Sequence, residues 1–201
     1  MAGFVPVDTD FMTIKELEAD GLWPVSWTAV LGLIPYIKRL GPNVKGIEVG
    51  VARAESSYCI LKECPNVVRL YGIDPYLAFD DWNGHVDQVI NDRTRSIAIQ
   101  NMVEFGDRFY HFFKKSSEWT DPVYITPQVV DFVFIDGDHS LAGAKADMKL
   151  FYPMVRPGGL FSGHDYNLPE VRKALEEFRE ENKIRIPINL SKNHTWFWTT
   201  V

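Results

Sequence analysis

The chain has 201 residues, 46% hydrophobic and 24% charged, a balance that predicts one domain over residues 1–201 and is too short for two full ones. Its 21 basic and 27 acidic side chains leave a net charge of −6, which offers a duplex phosphate backbone no overall attraction and sets nucleic acid aside as a partner. No apolar run approaches the ~18 residues of a membrane helix, and Met1-Ala2-Gly3-Phe4 lacks the basic and apolar regions of a signal peptide, so no membrane partner and a cytoplasmic location are expected.

Residues 1–45 read as an N-terminal helical extension, and residues 46–201 as the core. Thr13 with Glu16 three residues on has capping-box spacing and starts a short helix that Gly21 stops. A second helix is expected over Ser26–Leu40, with Val30, Leu33, Ile34 and Ile37 on one face and a kink or break at Pro35. Trp23 and Trp27 flank its start and suit packing against the sheet more than a substrate mouth.

Gly46 to Ser57 reads as a strand turning into a helix: Ile47 and Val49 belong to the strand, and Gly50 permits a tight turn. The small Ala52 and Ala54 would let the helix N-terminus approach a ligand closely. On the helix, Cys59 and Cys64 are the only cysteines, and their spacing suits two reduced buried thiols. The next strand, Val68–Ile73, ends in Asp74, 20 residues after Ala54, where dinucleotide-type folds place a carboxylate on ribose hydroxyls. Pro75 to Arg95 reads as a polar, aromatic loop over a ligand crevice, or a merely solvated one, before a helix through about Met102. Phe109–Phe113 reads as the third strand. Ser117 beyond it could meet an adenine ring, although Ser116 and Ser117 read equally well as a helix cap.

The centre of the sequence is Asp131–Tyr166. The apolar run Phe132–Ile135 suits a strand buried on both faces and ends in Asp136-Gly137-Asp138-His139. Helical spacing of Leu141, Ala144, Met148, Phe151 and Tyr152 follows, then a break at Pro157-Gly158-Gly159 and a second strand from Leu160 that ends in His164-Asp165-Tyr166. A right-handed crossover makes these strands parallel, so Asp136 and the pair 28 and 29 residues later should project into one crevice. Two carboxylates so placed repel unless a cation or a proton joins them; the alternative is that each caps the helix after it. Glu170–Glu180 reads as an amphipathic helix, and Ile184–Leu190 with Thr195–Val201 as a closing hairpin at the sheet edge, where His194 and Trp196 to Trp198 serve packing.

Together, Glu48-Val49-Gly50-Val51-Ala52, the terminal Asp74, Phe134-Ile135-Asp136-Gly137-Asp138-His139-Ser140, Pro157-Gly158-Gly159 and Gly163-His164-Asp165-Tyr166 resemble class I S-adenosylmethionine-dependent methyltransferases. The closest likeness is to small metal-dependent O-methyltransferases of the catechol and macrolide-sugar types, over roughly Val44 to Phe178. The resemblance implies a Rossmann-like, doubly wound α/β fold: a mostly parallel seven-stranded sheet, last strand antiparallel, with helices on both faces. It places Glu48, Gly50 and Ala52 in the cofactor's methionine-side loop, Asp74 on its ribose, Ser117 near its adenine, and Asp136 beside it. It implies Asp136, His164 and Asp165 as ligands of a divalent metal, Mg²⁺ or Mn²⁺; relatives usually carry Asp or Glu at the position of His164. Such an ion would lower the pKa of an attacking hydroxyl on a small-molecule acceptor. His139, whose ring titrates near neutrality, is then the candidate base, or else a cap for the following helix. A metal-independent N- or O-methyltransferase and a non-catalytic nucleotide-binding module are the competing readings. A homo-oligomer is compatible with the sequence, and no motif specifies one.

Overall fold

The structure is a computed structural model that describes residues 11–23, 29–81, 84–118 and 129–201. The chain begins with α1 (Ile14–Ala19), whose Thr13 and Glu16 form the expected reciprocal capping box. The helix expected over 26–40 is instead a 3-10 turn at Ala29–Gly32 followed by α2 (Ile34–Ile37). Pro35 sits in the first turn of α2, where its missing N–H costs nothing, so it starts a helix rather than kinking one. Trp27 lies outside the described residues, and Trp23 packs edge-on against Tyr58 with ring centroids 5.5 Å apart.

Next come β1 (Val44–Val49), α3 (Glu55–Glu63) and β2 (Val67–Ile73). The segment read as a loop after Asp74 contains a two-stranded hairpin, β3 (Phe79–Asp81) and β4 (Gly84–Val86), before α4 (Gln88–Met102), which Asp87 caps. β5 (Phe109–Phe112), β6 (Val130–Ile135), α5 (Leu141–Phe151), β7 (Val155–Gly163) and α6 (Pro169–Glu181) follow, and the short β8 (Asn189–Leu190) and β9 (Trp196–Thr199) close the chain.

Seven strands form one sheet in the order β5-β2-β1-β6-β7-β9-β8. All pairs from β5 to β7 are parallel, and β9 runs antiparallel to both neighbours. The expected break at Pro157-Gly158-Gly159 lies inside β7. The register jumps there from Val130↔Val155 to Phe132↔Leu160, and Gly158 takes φ +75 so that its N–H reaches the Thr200 carbonyl at 2.9 Å. A proline and two glycines are thus read as a stop by local propensity, but edge pairing with the C-terminal segment carries the strand through them.

β1 and β6 are buried on both faces, as their near-continuous apolar runs require. One core packs Val44, Phe132, Phe134 and Leu160 under α2, α3 and α4, through Ile34, Ile37, Ile60, Leu61 and Ala98. The other packs Ile47, Val133 and Phe161 under α5 and α6, through Met148, Phe151, Leu175 and Phe178. Trp196 and Trp198 stack in this second core at 5.6 Å, which agrees with packing rather than chemistry for the closing strand. Cys59 and Cys64 are unpaired and buried, and burial raises both thiol pKa values. No helix among the described residues is long and apolar enough to cross a membrane.

Candidate active site

Because β1, β2, β5, β6 and β7 are parallel, their C-terminal ends share one edge, where the residues after each strand can converge. The sheet's bonding continues one residue past the strands. Gly50 donates to Ile73 (2.9 Å), Asp136 to Val49 (2.7 Å) and His164 to Ile135 (2.9 Å), so three candidate residues stand side by side.

The turn from β1 to α3 crosses this edge in a backbone shape few residues adopt. Gly50 has φ +84, and a Cβ there would lie 2.0 Å from the Asp136 carbonyl oxygen, so only glycine lets the two loops touch. Ala52 and Ala54 are also left-handed, at φ 45 and 63. Asp74 holds the start of this turn: its Oδ2 accepts the N–H of Val51 and of Ala52, each at 3.0 Å, and its Oδ1 accepts the N–H of Tyr76 at 2.8 Å. Burial raises the Asp74 pKa, against the pull of those three N–H donors. Tyr76, which the sequence did not mark, ties the turn from the other side through a bond from its hydroxyl to the Ala52 carbonyl at 2.7 Å. Asn101 on α4 adds a bond to the Arg53 carbonyl (2.8 Å) while accepting the N–H of Ile14 (2.8 Å), linking the N-terminal extension to the turn.

Glu48 lies beneath this turn and does not line it. It is 1% exposed and accepts a hydrogen bond from Ser57 on α3. Burial lifts its pKa to about 8, so it is neutral at pH 7. Ser117, in a short 3-10 turn after β5, is exposed at the same edge. Its neighbour Ser116 donates to Asp147 of α5, whose pKa burial raises to about 6.

Asp136, His139, His164 and Asp165 form one cluster at the ends of β6 and β7. His139 Nε2 is 2.9 Å from Asp165 Oδ2 and 3.9 Å from Asp136 Oδ1. His164 Nδ1 is 3.2 Å from Asp165 Oδ1 and 3.5 Å from Asp136 Oδ1. Asp165 takes φ +56, a left-handed turn that aspartate tolerates better than most residues. His164 is clamped from outside: its Nε2 meets the Asn193 carbonyl at 2.6 Å, and its own carbonyl accepts from Trp196 Nε1 at 3.0 Å. Neither carboxylate caps a helix. Ser140 caps α5 by accepting from Gly143 N at 3.0 Å, and Leu168 begins α6 with no side-chain bond, so His139 is not a cap either.

The carboxylates of Asp136 and Asp165 push the His139 pKa up to about 10. Burial pulls His164 down, but the same two carboxylates outweigh it and bring it to about 10. Burial likewise works to raise Asp165, and its two histidine partners overcome that, leaving it well below the usual carboxylate range. Asp136, His139 and Asp165 each offer a ligand atom within 4.8 Å of the others, a donor set that fits a divalent cation; His164, which the resemblance gives as the third ligand, is not in this group. A separate cavity of about 370 Å³ lies toward the far end of α3, between Trp23, Ile34, Tyr58 and Lys62, and contains none of these residues.

A sequence family described as a methyltransferase domain matches residues 47–166, more than half of the chain and the whole stretch from β1 to the cluster. The chain belongs to this methyltransferase family. By family and sheet order it is a class I S-adenosylmethionine-dependent methyltransferase. Among curated proteins no sequence matches. Several solved structures share the methyltransferase's fold. An O-methyltransferase from Bacillus cereus, solved in complex with SAH, has 14% identity and a TM-score of 0.61, with 98% of this chain and 93% of that chain covered. The TDP-rhamnose 3'-O-methyltransferase CalS11 has 16% identity and a TM-score of 0.60, covering 97% and 88%. The O-methyltransferase NovP has 15% identity and a TM-score of 0.59, covering 84% and 79%.

Proposed function

We propose that this methyltransferase moves the sulfonium methyl group of S-adenosylmethionine to a hydroxyl of a small hydroxylated molecule, a sugar or a phenol, at a divalent-metal site on Asp136, His164 and Asp165. The observation that carries this reading is the meeting of the Asp136 and Asp165 carboxylates around imidazole nitrogens beside the Gly50 turn. The likeness in fold to a sugar 3'-O-methyltransferase supports an oxygen acceptor. S-adenosylmethionine supplies an already activated methyl group, and a divalent cation supplies polarisation of the acceptor oxygen.

The chain's own part is then to bind and aim. Backbone at Gly50 and Ala52 would let the cofactor come close, and Ser117, exposed after β5, would meet its adenine. Of the roughly four acceptor positions on a carboxylate, the three backbone N–H groups use three at Asp74, leaving one on Oδ1 for a ribose hydroxyl. Glu48 supports the turn from below through Ser57. His139 is held protonated by its carboxylate neighbours to about pH 10, so on this cluster it acts as a base only after that proton has been displaced. The two buried thiols suit a reducing, cytoplasmic compartment.

A second reading, metal-independent transfer, is favoured by one feature: two protonated imidazoles can neutralise the two carboxylates with no ion at all. Chelator-treated protein given S-adenosylmethionine and a panel of sugar and phenol acceptors separates the two. Activity lost in chelator and restored by Mg²⁺ or Mn²⁺ supports the metal reading, and full turnover in chelator supports the second. Calorimetry with S-adenosylhomocysteine tests both, since absence of binding would make the chain a non-catalytic module.

A further inference from the structure

We infer that Tyr76 is a positioning residue for the cofactor. Its hydroxyl passes a hydrogen-bond chain from His111 of β5 to the Ala52 carbonyl, and so sets the turn between β1 and α3 in the shape that receives S-adenosylmethionine. This deepens the methyltransferase reading and rests on it for the identity of the ligand at that turn.

Side chains from other elements take the peptide groups of this turn one by one. Asp74 accepts the N–H of Val51 and Ala52, and Asn101 donates to the Arg53 carbonyl. The Ala52 carbonyl is taken by Tyr76, whose hydroxyl lies 2.7 Å away. Ala52 itself is exposed, so the turn held from behind keeps a side for a ligand. Ala52 is left-handed at φ 45, and Tyr76 is left-handed as well, at φ 48. A bulky side chain at such a φ persists only where its surroundings fix it, and such residues gather at ligand clamps. Those surroundings are present. Tyr76 donates its N–H to Asp74 at 2.8 Å, and its carbonyl accepts from Gln88 of α4 at 2.8 Å. The residue is 3% exposed, and its ring lies edge-on to His111 with centroids 5.4 Å apart. The hydroxyl therefore stands on a fixed mount facing the turn.

The proton count gives the chain its direction. Two oxygens 2.7 Å apart need a proton between them, and a carbonyl brings none, so the Tyr76 hydroxyl gives its only proton to the bond with Ala52. Burial and the Asp74 carboxylate push the Tyr76 pKa up, so that proton stays. His111 Nε2 lies 3.2 Å from the same hydroxyl oxygen, which has lone pairs left to accept with. Burial, helped by Arg95, lowers the His111 pKa to about 4, so at pH 7 the ring is neutral and carries one N–H. The contact is a hydrogen bond only with that proton on Nε2. The order is then His111 to Tyr76 to Ala52, and each donor strengthens the next. One chain thus joins β5, the loop after β2 and the turn after β1, whose strands are neighbours in the sheet. Without it the Ala52 peptide can leave its left-handed shape, and affinity falls by the fraction of molecules in which it has done so.

The test is calorimetry with S-adenosylhomocysteine on the full-length protein and its variants, with ¹⁵N spectra of the histidine rings at pH 7. Tyr76→Phe keeps the ring and removes the hydroxyl alone, and should weaken S-adenosylhomocysteine binding by ~10-fold or more. His111→Leu should weaken it by ~3-fold or more, and His111→Gln, whose side-chain N–H can meet the same oxygen, should stay within ~2-fold of wild type. In the wild type the His111 proton should be found on Nε2, and in Tyr76→Phe that preference should be lost. A purely packing role for Tyr76 would move neither the tautomer nor the contrast between Leu and Gln. A folded Tyr76→Phe with wild-type affinity overturns the inference, and so does a wild-type proton on Nδ1. Where Tyr76→Phe does not fold, the tautomer and the His111 pair decide: equal binding by Leu and Gln overturns it. A wild type that does not bind S-adenosylhomocysteine sinks the methyltransferase reading and the inference with it, whereas a wild type and variants that all bind equally well sink the inference alone.

Discussion

Replacing Asp74 with Asn tests how the cofactor side of the crevice is built. Asp74 accepts three backbone N–H groups, two from the left-handed turn on Oδ2 and one from Tyr76 on Oδ1, with one acceptor position left on Oδ1 for a ribose hydroxyl. An Asn of the same shape can keep its oxygen on the Val51 and Ala52 N–H groups, and its NH₂ then faces the Tyr76 N–H donor and any incoming hydroxyl's acceptor place. A hydrogen bond to a charged acceptor contributes about 1.5–3 kcal/mol. Asp74→Asn should therefore lose about 2 kcal/mol of folding stability, from the Tyr76 bond, and about 1.5–3 kcal/mol of cofactor affinity, or roughly 10- to 150-fold. Urea denaturation reads the first and calorimetry with S-adenosylhomocysteine the second. Asp74→Ala removes all three backbone bonds and should lower stability further than Asn does. A folded Asn variant with the wild-type urea midpoint and wild-type affinity would refute both the bond count and the ribose assignment.

At Gly50, an alanine brings its Cβ to 2.0 Å from the Asp136 carbonyl at a backbone φ of +84, so Gly50→Ala should lose ~3 kcal/mol or more in urea denaturation. A loss under 1 kcal/mol would show that the two loops are not held together as described. Glu48 gives a pH dependence: its folded pKa, raised by burial from 4.5 to about 8, means that its contribution to stability is complete below about pH 4.5 and is lost as pH rises through 8. Glu48→Gln stays neutral and keeps an acceptor for Ser57, so the variant's stability should gain on the wild type by up to about 1.4 kcal/mol per pH unit across that window. Parallel stability curves from pH 5 to 9 would place the titration elsewhere.

Much of this protein was decided by its sequence alone, because its signals are local. Continuous apolar runs at Ile47–Val49 and Phe132–Ile135 belong only to strands covered on both faces, and helical spacing between them forces parallel crossovers. That was enough to bring Asp136 and His164-Asp165 to one edge. What local pattern could not decide is how side chains turn once they arrive. Pro157-Gly158-Gly159 reads as a break by propensity, yet pairing with Thr200 carries the strand through it. Glu48 reads as a crevice residue, but the packing of α3 over β1 buries it against Ser57. Asp74 reads as a ribose ligand, and the left-handed turn draws on its oxygens first. His139 reads as a lone base, until the turn of Asp165 and the clamp of Asn193 on His164 close two imidazoles onto two carboxylates. These outcomes depend on partners from 3 residues away in sequence, as for Asp136 and His139, to 42, as for Gly158 and Thr200, and on the directions of single bonds. Only the folded chain brings those partners within reach, and burial then gives each hydrogen bond and charge enough strength to choose among orientations that water would leave equivalent.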